Sequence, residues 1–525
     1  MSEKGKDEYQ TDYVPGQDNI SPFGLDLHFP VFSISAALIL VFVVGTLMVP
    51  ELAKEILDGA KWDVIAAFDW LFLSGANVFV LFCLALLFLP VSRVRLGGQD
   101  AKPEFKTLSW FAMLFAAGMG IGLMFWAVAE PVAYYTGWYE TPMGVDANTG
   151  DARAMAMSAT MFHWGLHPWA IYGVVALSLS FFAFNKGMPL SIRSAFFPLL
   201  GDRVWGWPGH IIDTVAVVAT LFGLATSLGF GAQQAASGIS LLFDIKDGLN
   251  TQLAIIVGVT SVALVSVMRG LDGGVKVLSN INMVLAALLL LFVIVFGATM
   301  DFFTGLFSTT AGYLGNIVPL SLPFGRTDEA WMQGWTVFYW AWWISWSPFV
   351  GMFIARVSRG RTVREFLLAV LIIPTLITIV WMTAFGGNGL DQAQNGVGEL
   401  ADGLGSDTSV ALFHMLAELP LASITSFLAI VLVLVFFVTS SDSGSLVIDS
   451  ITAGGKLDAP QAQRVFWVVV EGLIAGALLF GGGDDALGAL QAAAIVTGLP
   501  FTIVLLLMCV CLYMGLNQER KLNNL

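Results

Sequence analysis

The chain has 525 residues, of which 57% are hydrophobic and 12% are charged. A soluble globular protein could not hide so much apolar surface, so this composition excludes one. The formal net charge of −14 indicates nothing about partners until the charges are divided between the two sides of a membrane. The composition therefore predicts an all-α polytopic membrane protein.

Twelve apolar segments are each long enough to cross about 30 Å of hydrocarbon as a helix, whereas a transmembrane β-barrel would show short alternating segments. In chain order these predicted spans cover about residues 29–50, 64–90, 108–135, 153–184, 208–242, 252–269, 277–300, 334–356, 364–387, 421–448, 464–482 and 486–516. The polar segment 1–28 has no basic n-region, so we expect no cleavable signal peptide. An even number of spans places both ends of the chain on one side.

The distribution of lysine and arginine sets the orientation of these spans. With the amino terminus in the cytoplasm, the outer segments hold few of the 24 basic residues, namely Lys54, Lys61, Arg153, Lys246 and Arg326. Cys83, Cys509 and Cys511 fall within apolar spans, so we expect neither a structural disulfide nor a zinc site.

Two further segments, 187–206 and 301–330, mix apolar and polar residues with prolines. Each is predicted to be a helix lying along a face of the protein. The chain has no nucleotide-binding signature and no large soluble domain, so an ATP-driven pump or a tethered enzyme is not predicted. The classes of function that remain are transport, conduction and sensing.

The third span contains glycines at 118, 120 and 122. Each costs a helix about 1 kcal/mol relative to alanine, so this stretch is predicted to unwind and to offer backbone groups to a ligand. The alternative is a GxxxG face formed by Gly118 and Gly122 for close helix packing.

The fourth span carries an aromatic cluster beside a proline, in the stretch from His163 to Tyr172. Pro168 frees the carbonyl of Trp164, which predicts a helix defect there. Trp164, Trp169 and Tyr172 could form the walls of a binding site. For His163 and His167 we favour hydrogen-bonded scaffolding over a proton relay.

The eighth span contains WTVFYWAWWISWSPFVG, from Trp335 to Gly351, with five tryptophans in twelve residues. Trp342, Trp343 and Trp346 share one face of a helix. Pro348 is expected to bend or open the helix beside them. Aromatic faces attract cations, so the stretch predicts a cation-binding cavity; the alternative is that the rings only fill space between helices.

The tenth span ends in a dense run of hydroxyls, from Phe436 to Ser445. Hydroxyls and free carbonyls are oxygen ligands that suit a sodium ion, although such hydroxyls also bond back to the preceding helical turn.

Asp442 could pair with a cytoplasmic arginine. Glu471, in the eleventh span, is an intramembrane acid with no assigned partner.

These motifs together resemble the betaine/choline/carnitine transporter family from about residue 29 to 516. The motifs are GMGIGLMFW with the following AEP, HWGLHPWAIY, ATLFG, the tryptophan stretch with its ARVSRGR continuation, and VTSSDSGS. The resemblance implies two extra helices followed by two inverted five-helix repeats of the leucine-transporter type. The implied divisions are a cytoplasmic tail (1–28), the extra helices with the first inner loop (29–107), the first repeat (108–300), an outer amphipathic helix (301–333), the second repeat (334–516) and a short tail (517–525).

The resemblance also implies a binding site and a substrate class. Trp164, Trp169, Tyr172 and Trp343 would surround an onium group, with Trp342 and Trp346 along the path and the backbone around Ala117 and Met119 facing the substrate.

Family members that carry glycine betaine have glycine where this chain has Gly122, whereas choline carriers tend to have an acid there. We therefore expect a zwitterion such as glycine betaine or dimethylsulfoniopropionate. A sodium-independent choline or carnitine carrier is the alternative, and a receptor or channel is a third possibility.

By the same resemblance, one sodium ion would be bound by Ala116, Met119, Phe436, Thr439 and Ser440. A second site would use Thr220 and Phe349, but Leu224 replaces the second threonine of the family pattern, which puts two-sodium stoichiometry in question. The resemblance further implies no enzymatic activity, no permanently bound cofactor, a homotrimer, and a bacterial inner (plasma) membrane location with both termini cytoplasmic.

Overall fold

The computed structural model describes residues 8–118, 120–269, 275–402, 404 and 407–525. Within these residues the regular secondary structure is helical, and β-pairing is limited to isolated bridges such as Arg95 with Thr362. The all-α fold predicted from composition is therefore confirmed.

Eighteen helices, some of a single turn, follow one another in the described part of the chain. They are α1 (Phe29–Met48), α2 (Pro50–Phe88), α3 (Thr107–Gly118), α4 (Ile121–Thr136), α5 (Gly150–Trp164), α6 (Leu166–Lys186), α7 (Phe197–Leu200), α8 (Trp207–Phe243), α9 (Leu249–Arg269), α10 (Val275–Phe296), α11 (Thr299–Ser321), α12 (Glu329–Trp331), α13 (Val337–Val357), α14 (Val363–Asn395), α15 (Ala411–Ala417), α16 (Ala422–Thr452), α17 (Gln461–Gly482) and α18 (Ala486–Leu522).

Nine helical stretches of the described residues are long and apolar enough to cross a membrane, and one of them contains both α17 and α18. The predicted spans 108–135 and 334–356 are absent from this set. The first is interrupted, and the second is rich in tryptophan, which a hydropathy scale does not rank with leucine or valine. The protein is polytopic, and the count of twelve spans stays a prediction.

Two of the predicted helix defects are present. The third predicted span is divided between α3 and α4, with Gly120 in an extended conformation (φ −161°, ψ −170°). The fourth is divided at Gly165 (φ −97°, ψ −127°), which separates α5 from α6. In both places a glycine, which favours a helix by about 1 kcal/mol less than alanine, lies at the interruption.

The expected opening at Pro348 is not found. Helix α13 continues through this proline, and the irregular segment lies before it, as a π-helical stretch from Met332 to Thr336. A proline removes only one backbone donor, and close packing on all sides compensates, since the side chains from Val337 to Met352 are buried. The tryptophan stretch is therefore held by its neighbours rather than broken.

The two segments predicted to lie along a face differ from each other. Residues 299–321 form α11, whose buried residues Phe302, Thr309 and Tyr313 recur at helical spacing, as expected of an amphipathic helix. Residues 187–206 form short helical turns instead of one surface helix, and Ile192 and Arg193 within them are fully buried. Residues 517–522, predicted as part of a tail, continue α18.

Helix α13 lies at the centre of the bundle, where it packs along α6 and also contacts α8 and α18. Helix α16 packs along α8, and α4 packs against α5 and α14. This arrangement brings the tryptophan stretch, the two interrupted helices and the hydroxyl-rich α16 into one interior.

Candidate functional site

The four side chains predicted to surround an onium group form a continuous series of ring contacts. The ring centroids of Trp164 and Trp343 lie 4.8 Å apart at an interplanar angle of 75°. Tyr172 lies 6.3 Å from Trp343 and 5.5 Å from Trp169, again edge to face. The structure thus brings α5, α6 and α13 together through the predicted residues.

Trp342 stacks on Trp343 at 4.6 Å and 17°, and its indole nitrogen donates to Ser227 Oγ of α8 at 3.2 Å. Trp346 contacts Phe349 at 5.3 Å. The ring of Trp342 also lies 6.2 Å from that of Trp164, edge to face, so Trp342 belongs to the same cluster. The rings touch one another, so an onium group would enter by separating them.

Glu130 of α4 is the functional candidate that the sequence reasoning missed. Its side chain is fully buried. Oε1 accepts hydrogen bonds from Tyr134 Oη (2.9 Å) and His163 Nδ1 (2.8 Å). Oε2 accepts from Trp164 Nε1 and from Tyr339 Oη, both at 2.6 Å.

This carboxylate therefore sits directly behind the aromatic cluster. A negative charge on the hydrogen-bond acceptor of an indole increases the electron density of the ring, which strengthens its attraction for a cation. The expectation of a zwitterion was drawn from Gly122 and did not take this acid into account. Its place in the AEP motif next to Pro131 was the signal in the sequence, because an acid within an apolar span marks function.

His163 is hydrogen-bonded on both ring nitrogens, as the scaffolding interpretation predicts. Besides Glu130 it contacts Thr336 Oγ1, which lies 3.0 Å from Nε2. Its backbone carbonyl accepts the indole N–H of Trp343 at 2.9 Å. His167 contacts Asn77 Oδ1 through Nε2 at 3.1 Å.

Gly122 lies against the cluster at a point where no side chain fits. A Cβ atom there would lie 2.5 Å from Trp342 and 3.0 Å from Trp164. Even alanine would displace these rings, and an aspartate would displace them further. The glycine is thus required by the packing of the two tryptophans.

The predicted sodium ligands are described only in part. Phe436, Thr439 and Ser440 lie on α16, and Thr439 Oγ1 bonds back to the carbonyls of Val435 (3.0 Å) and Phe436 (3.2 Å). This is the alternative role expected of such hydroxyls. Met119 and the side chains of Ala116 and Ala117 lie outside the described residues.

The predicted second sodium site has an apolar side chain, Leu224, at one of its ligand positions. Thr220 is buried and its hydroxyl bonds back to Ala216 O at 2.7 Å. Leu224 packs on Gly444 of α16, where an added Cβ would lie 2.4 Å from Leu224 Cδ1. Phe349 contacts Trp346. Methyl groups of Leu224 therefore lie where the resemblance implied a second hydroxyl.

A cavity of about 220 Å³ lies elsewhere, between α5, α11 and α14. It is lined by Arg153 and Asp391, which form an ion pair at 2.5 Å, and by Asp301. None of the predicted site residues lines it.

Comparison with known proteins identifies the chain. Residues 30–521 match the family described as BCCT, betaine/carnitine/choline family transporter. The chain belongs to this family. It is accordingly a multi-pass membrane transporter rather than an enzyme.

Three relatives show how far the similarity extends. The chain is 64% identical to glycine betaine transporter 1 of Vibrio parahaemolyticus over 99% of this chain and 100% of that protein. It is 59% identical to a glycine betaine/proline/choline/ectoine transporter of the same organism, over 97% and 91%. It is 44% identical to the glycine betaine transporter OpuD of Bacillus subtilis, over 94% of each chain. The BCCT family assignment thus covers the whole aromatic cluster and α16.

Proposed function

We propose that this BCCT family member imports a zwitterionic onium solute, such as glycine betaine or dimethylsulfoniopropionate, by symport with sodium. The observation that carries the proposal is the gathering of Trp164, Tyr172 and Trp343 beside two interrupted helices. Desolvated aromatic faces bind quaternary ammonium groups, and interrupted helices supply free backbone groups for a carboxylate. Relatives at 64% and 44% identity are named as glycine betaine transporters, which supports the same substrate class.

Coupling to sodium rests on the hydroxyl-rich segment of α16. Thr439 and Ser440 lie on this helix, and in our proposal they coordinate one sodium ion together with the backbone carbonyls of Ala116, Met119 and Phe436. Leu224 removes a polar ligand from the second site, so we propose one sodium ion per cycle. We also propose a homotrimer in the bacterial inner membrane with both termini in the cytoplasm.

Uptake by the purified protein in liposomes tests this function. We expect labelled glycine betaine to accumulate against its gradient when sodium is high outside, and not when potassium replaces sodium on both sides. Protein-free liposomes serve as the control for leakage. Because one bound sodium ion is expected, the initial rate should rise hyperbolically, not sigmoidally, with sodium concentration.

Equal accumulation with sodium and with potassium would overturn sodium symport. In that case a proton gradient or preloaded substrate would identify a proton-coupled carrier or an exchanger, with choline and carnitine as test substrates. Saturable binding of glycine betaine without any uptake would overturn transport itself and indicate a receptor.

A further inference from the structure

The cavity between α5, α11 and α14 has polar walls that the proposed transport function does not use. Its volume is about 220 Å³. Gly387 of α14 contributes to this space, since a Cβ atom there would meet no described heavy atom within 4 Å. A water molecule takes up about 30 Å³ in the liquid, so the cavity has room for a small organic molecule.

One hydroxyl in the wall of this cavity lacks the hydrogen bond that its neighbours on the same helix make. Thr375 and Thr378 of α14 donate to the carbonyls of Leu371 (2.6 Å) and Pro374 (2.9 Å), one turn back. Thr383 is 3% exposed and lines the cavity, yet its Oγ1 has no partner among the described residues. This hydroxyl is therefore available to a group that enters the cavity.

A carboxylate oxygen in the same wall is also without a partner. Asp391 Oδ1 accepts from Arg153 Nη2 at 2.5 Å, and Arg153 Nη1 donates to Gln394 Oε1 at 3.0 Å. Asp391 Oδ2 is buried and has no hydrogen-bond partner within the described part of the chain. A carboxylate oxygen only accepts hydrogen bonds, so the missing partner is an N–H or O–H donor.

The charges of the lining favour a cation. Asp301 of α11 lines the cavity at an exposed position and interacts electrostatically with Asp391. Asp301 and Asp391 against Arg153 give the lining a net charge of −1. The described residues contain no group of three or more His, Cys, Asp or Glu side chains that could hold a metal ion. An organic cation therefore suits the cavity better than a metal ion does.

The two available polar groups lie at a distance that selects an elongated ligand. Thr383, Gly387 and Asp391 follow one another at intervals of four residues, so they share one face of α14. Thr383 and Asp391 are about 12 Å apart along the helix axis. One nitrogen atom cannot bond to both, so a ligand that does so has a polar group at each end.

We propose that this cavity binds a small linear amine in its protonated form, with a second polar group such as a hydroxyl at the other end. Alkylamines are protonated at pH 7. The ammonium group donates to Asp391 Oδ2, the hydroxyl bonds to Thr383 Oγ1, and the methylene chain packs beside Met157 and Phe302.

The site is distinct from the aromatic cluster in place and in chemistry. Phe302 is the aromatic residue of the described lining, which contains no tryptophan. A quaternary onium group has no N–H to donate, so it would leave Asp391 Oδ2 without a partner. The cavity therefore selects amines that carry N–H groups over the proposed cargo.

Isothermal titration calorimetry of the purified full-length protein, without sodium, tests the site with two amines. 5-Amino-1-pentanol carries both polar groups, and pentylammonium lacks the hydroxyl. We expect saturable binding of both, with pentylammonium weaker by about 2- to 10-fold because one hydrogen bond is lost. Saturation with glycine betaine, or with the N,N,N-trimethyl derivative of 5-amino-1-pentanol, should leave the affinity for 5-amino-1-pentanol unchanged.

Three variants locate the binding. Thr383→Val should weaken 5-amino-1-pentanol binding by about 2- to 10-fold and leave that of pentylammonium unchanged. Thr375→Val is the matched control, since the hydroxyl of Thr375 bonds back to Leu371, and it should bind both amines as the wild type does. Gly387→Leu places a side chain in the cavity and should abolish binding of both.

No saturable binding of 5-amino-1-pentanol to the wild type would overturn the proposal and indicate a cavity that holds only water. Equal binding to the wild type and to Gly387→Leu, or displacement by glycine betaine, would also overturn it. Should Gly387→Leu not fold, unchanged 5-amino-1-pentanol affinity in Thr383→Val would overturn it. These titrations need neither uptake nor sodium coupling, so failure here is distinguishable from failure of the proposed function.

Discussion

At the scale of single residues, the rings of the aromatic cluster contact one another, and hydrogen bonds fix the orientation of several of them. Three indoles have a defined acceptor: Trp164 bonds to Glu130, Trp343 to the carbonyl of His163, and Trp342 to Ser227. The bonds fix the orientation of rings that otherwise contact one another. An onium group that separates the rings would therefore meet faces whose direction the hydrogen bonds set.

Replacing Trp343 with leucine tests this arrangement. We expect Trp343→Leu to weaken glycine betaine binding by about 1–2 kcal/mol or more, which is roughly 5- to 30-fold, because a ring in contact with a desolvated cation is lost. Leucine suits a membrane helix, so the fold should remain. Isothermal titration calorimetry of the purified protein measures the change.

Trp70→Leu is the matched control, since Trp70 lies on α2 with 42% of its surface exposed. This variant should bind glycine betaine with wild-type affinity. Unchanged affinity in a folded Trp343→Leu variant would show that Trp343 only fills space between helices.

At the scale of helices, Glu130 joins three elements through one carboxylate. Tyr134 lies on α4 with it, Trp164 and His163 lie on α5, and Tyr339 lies on α13. Four polar side chains converge on its two oxygens, which suits a group that has two acceptor oxygens. These bonds hold α4 and α5 against α13.

We expect Glu130→Gln to destabilise the protein and to weaken glycine betaine binding. The amide nitrogen of glutamine would face two donors instead of accepting from them, at a cost of about 1–3 kcal/mol. Thermal unfolding in detergent and calorimetric binding measure the two effects. Glu55→Gln, at an exposed position of α2, should change neither. A Glu130→Gln variant with wild-type melting and binding would contradict the role of the carboxylate.

At the scale of the whole molecule, the segment before α1 packs across one end of the bundle, the end that is proposed to face the cytoplasm. Tyr13 stacks on Trp205 at 4.2 Å, and both rings lie 5.5 Å from the guanidinium of Arg193. Arg193 forms a buried ion pair with Asp213 at 3.2 Å. His28 Nε2 lies 3.1 Å from the same arginine. The segment is thus part of the folded protein.

Burial, together with the charges of Arg193 and His210, lowers the pKa of His28 from 6.5 to about 3. The unfolded chain takes up this proton below about pH 6.5, whereas the folded chain excludes it until about pH 3. Stability is therefore expected to fall as the pH drops through that window, on the order of 2 kcal/mol by pH 5, and to be unaffected above it.

The melting temperature in detergent at pH 7.5 and pH 5 measures this effect. His28→Gln retains an acceptor for Arg193 but does not titrate, so its melting temperature should decline less between the two pH values. An equal decline in the wild type and in His28→Gln would show that other groups cause the pH dependence.

The local sequence was sufficient to predict the helices, two of their interruptions and the cluster of aromatic rings. Long apolar segments must form helices in a membrane. The glycines at 118, 120 and 122 weaken the third span locally, and Pro168 disturbs the fourth. Helical spacing alone places Trp342 and Trp346 on one face. The family resemblance then supplied the partners Trp164 and Tyr172, and the structure places these rings in contact with Trp343 or with the tryptophans beside it.

The hydrogen-bond partners of the buried polar groups could be known only from the tertiary structure. Glu130 acquires its donors from residues up to 209 positions away, and Glu471 meets Ser441 across 30 positions. Pro348 stays within a helix because buried neighbours enclose it, although the proline itself disfavours a helix. Propensity and periodicity act over a few residues, whereas the burial of a charge and the pairing of a donor depend on segments that fold against one another from distant parts of the chain.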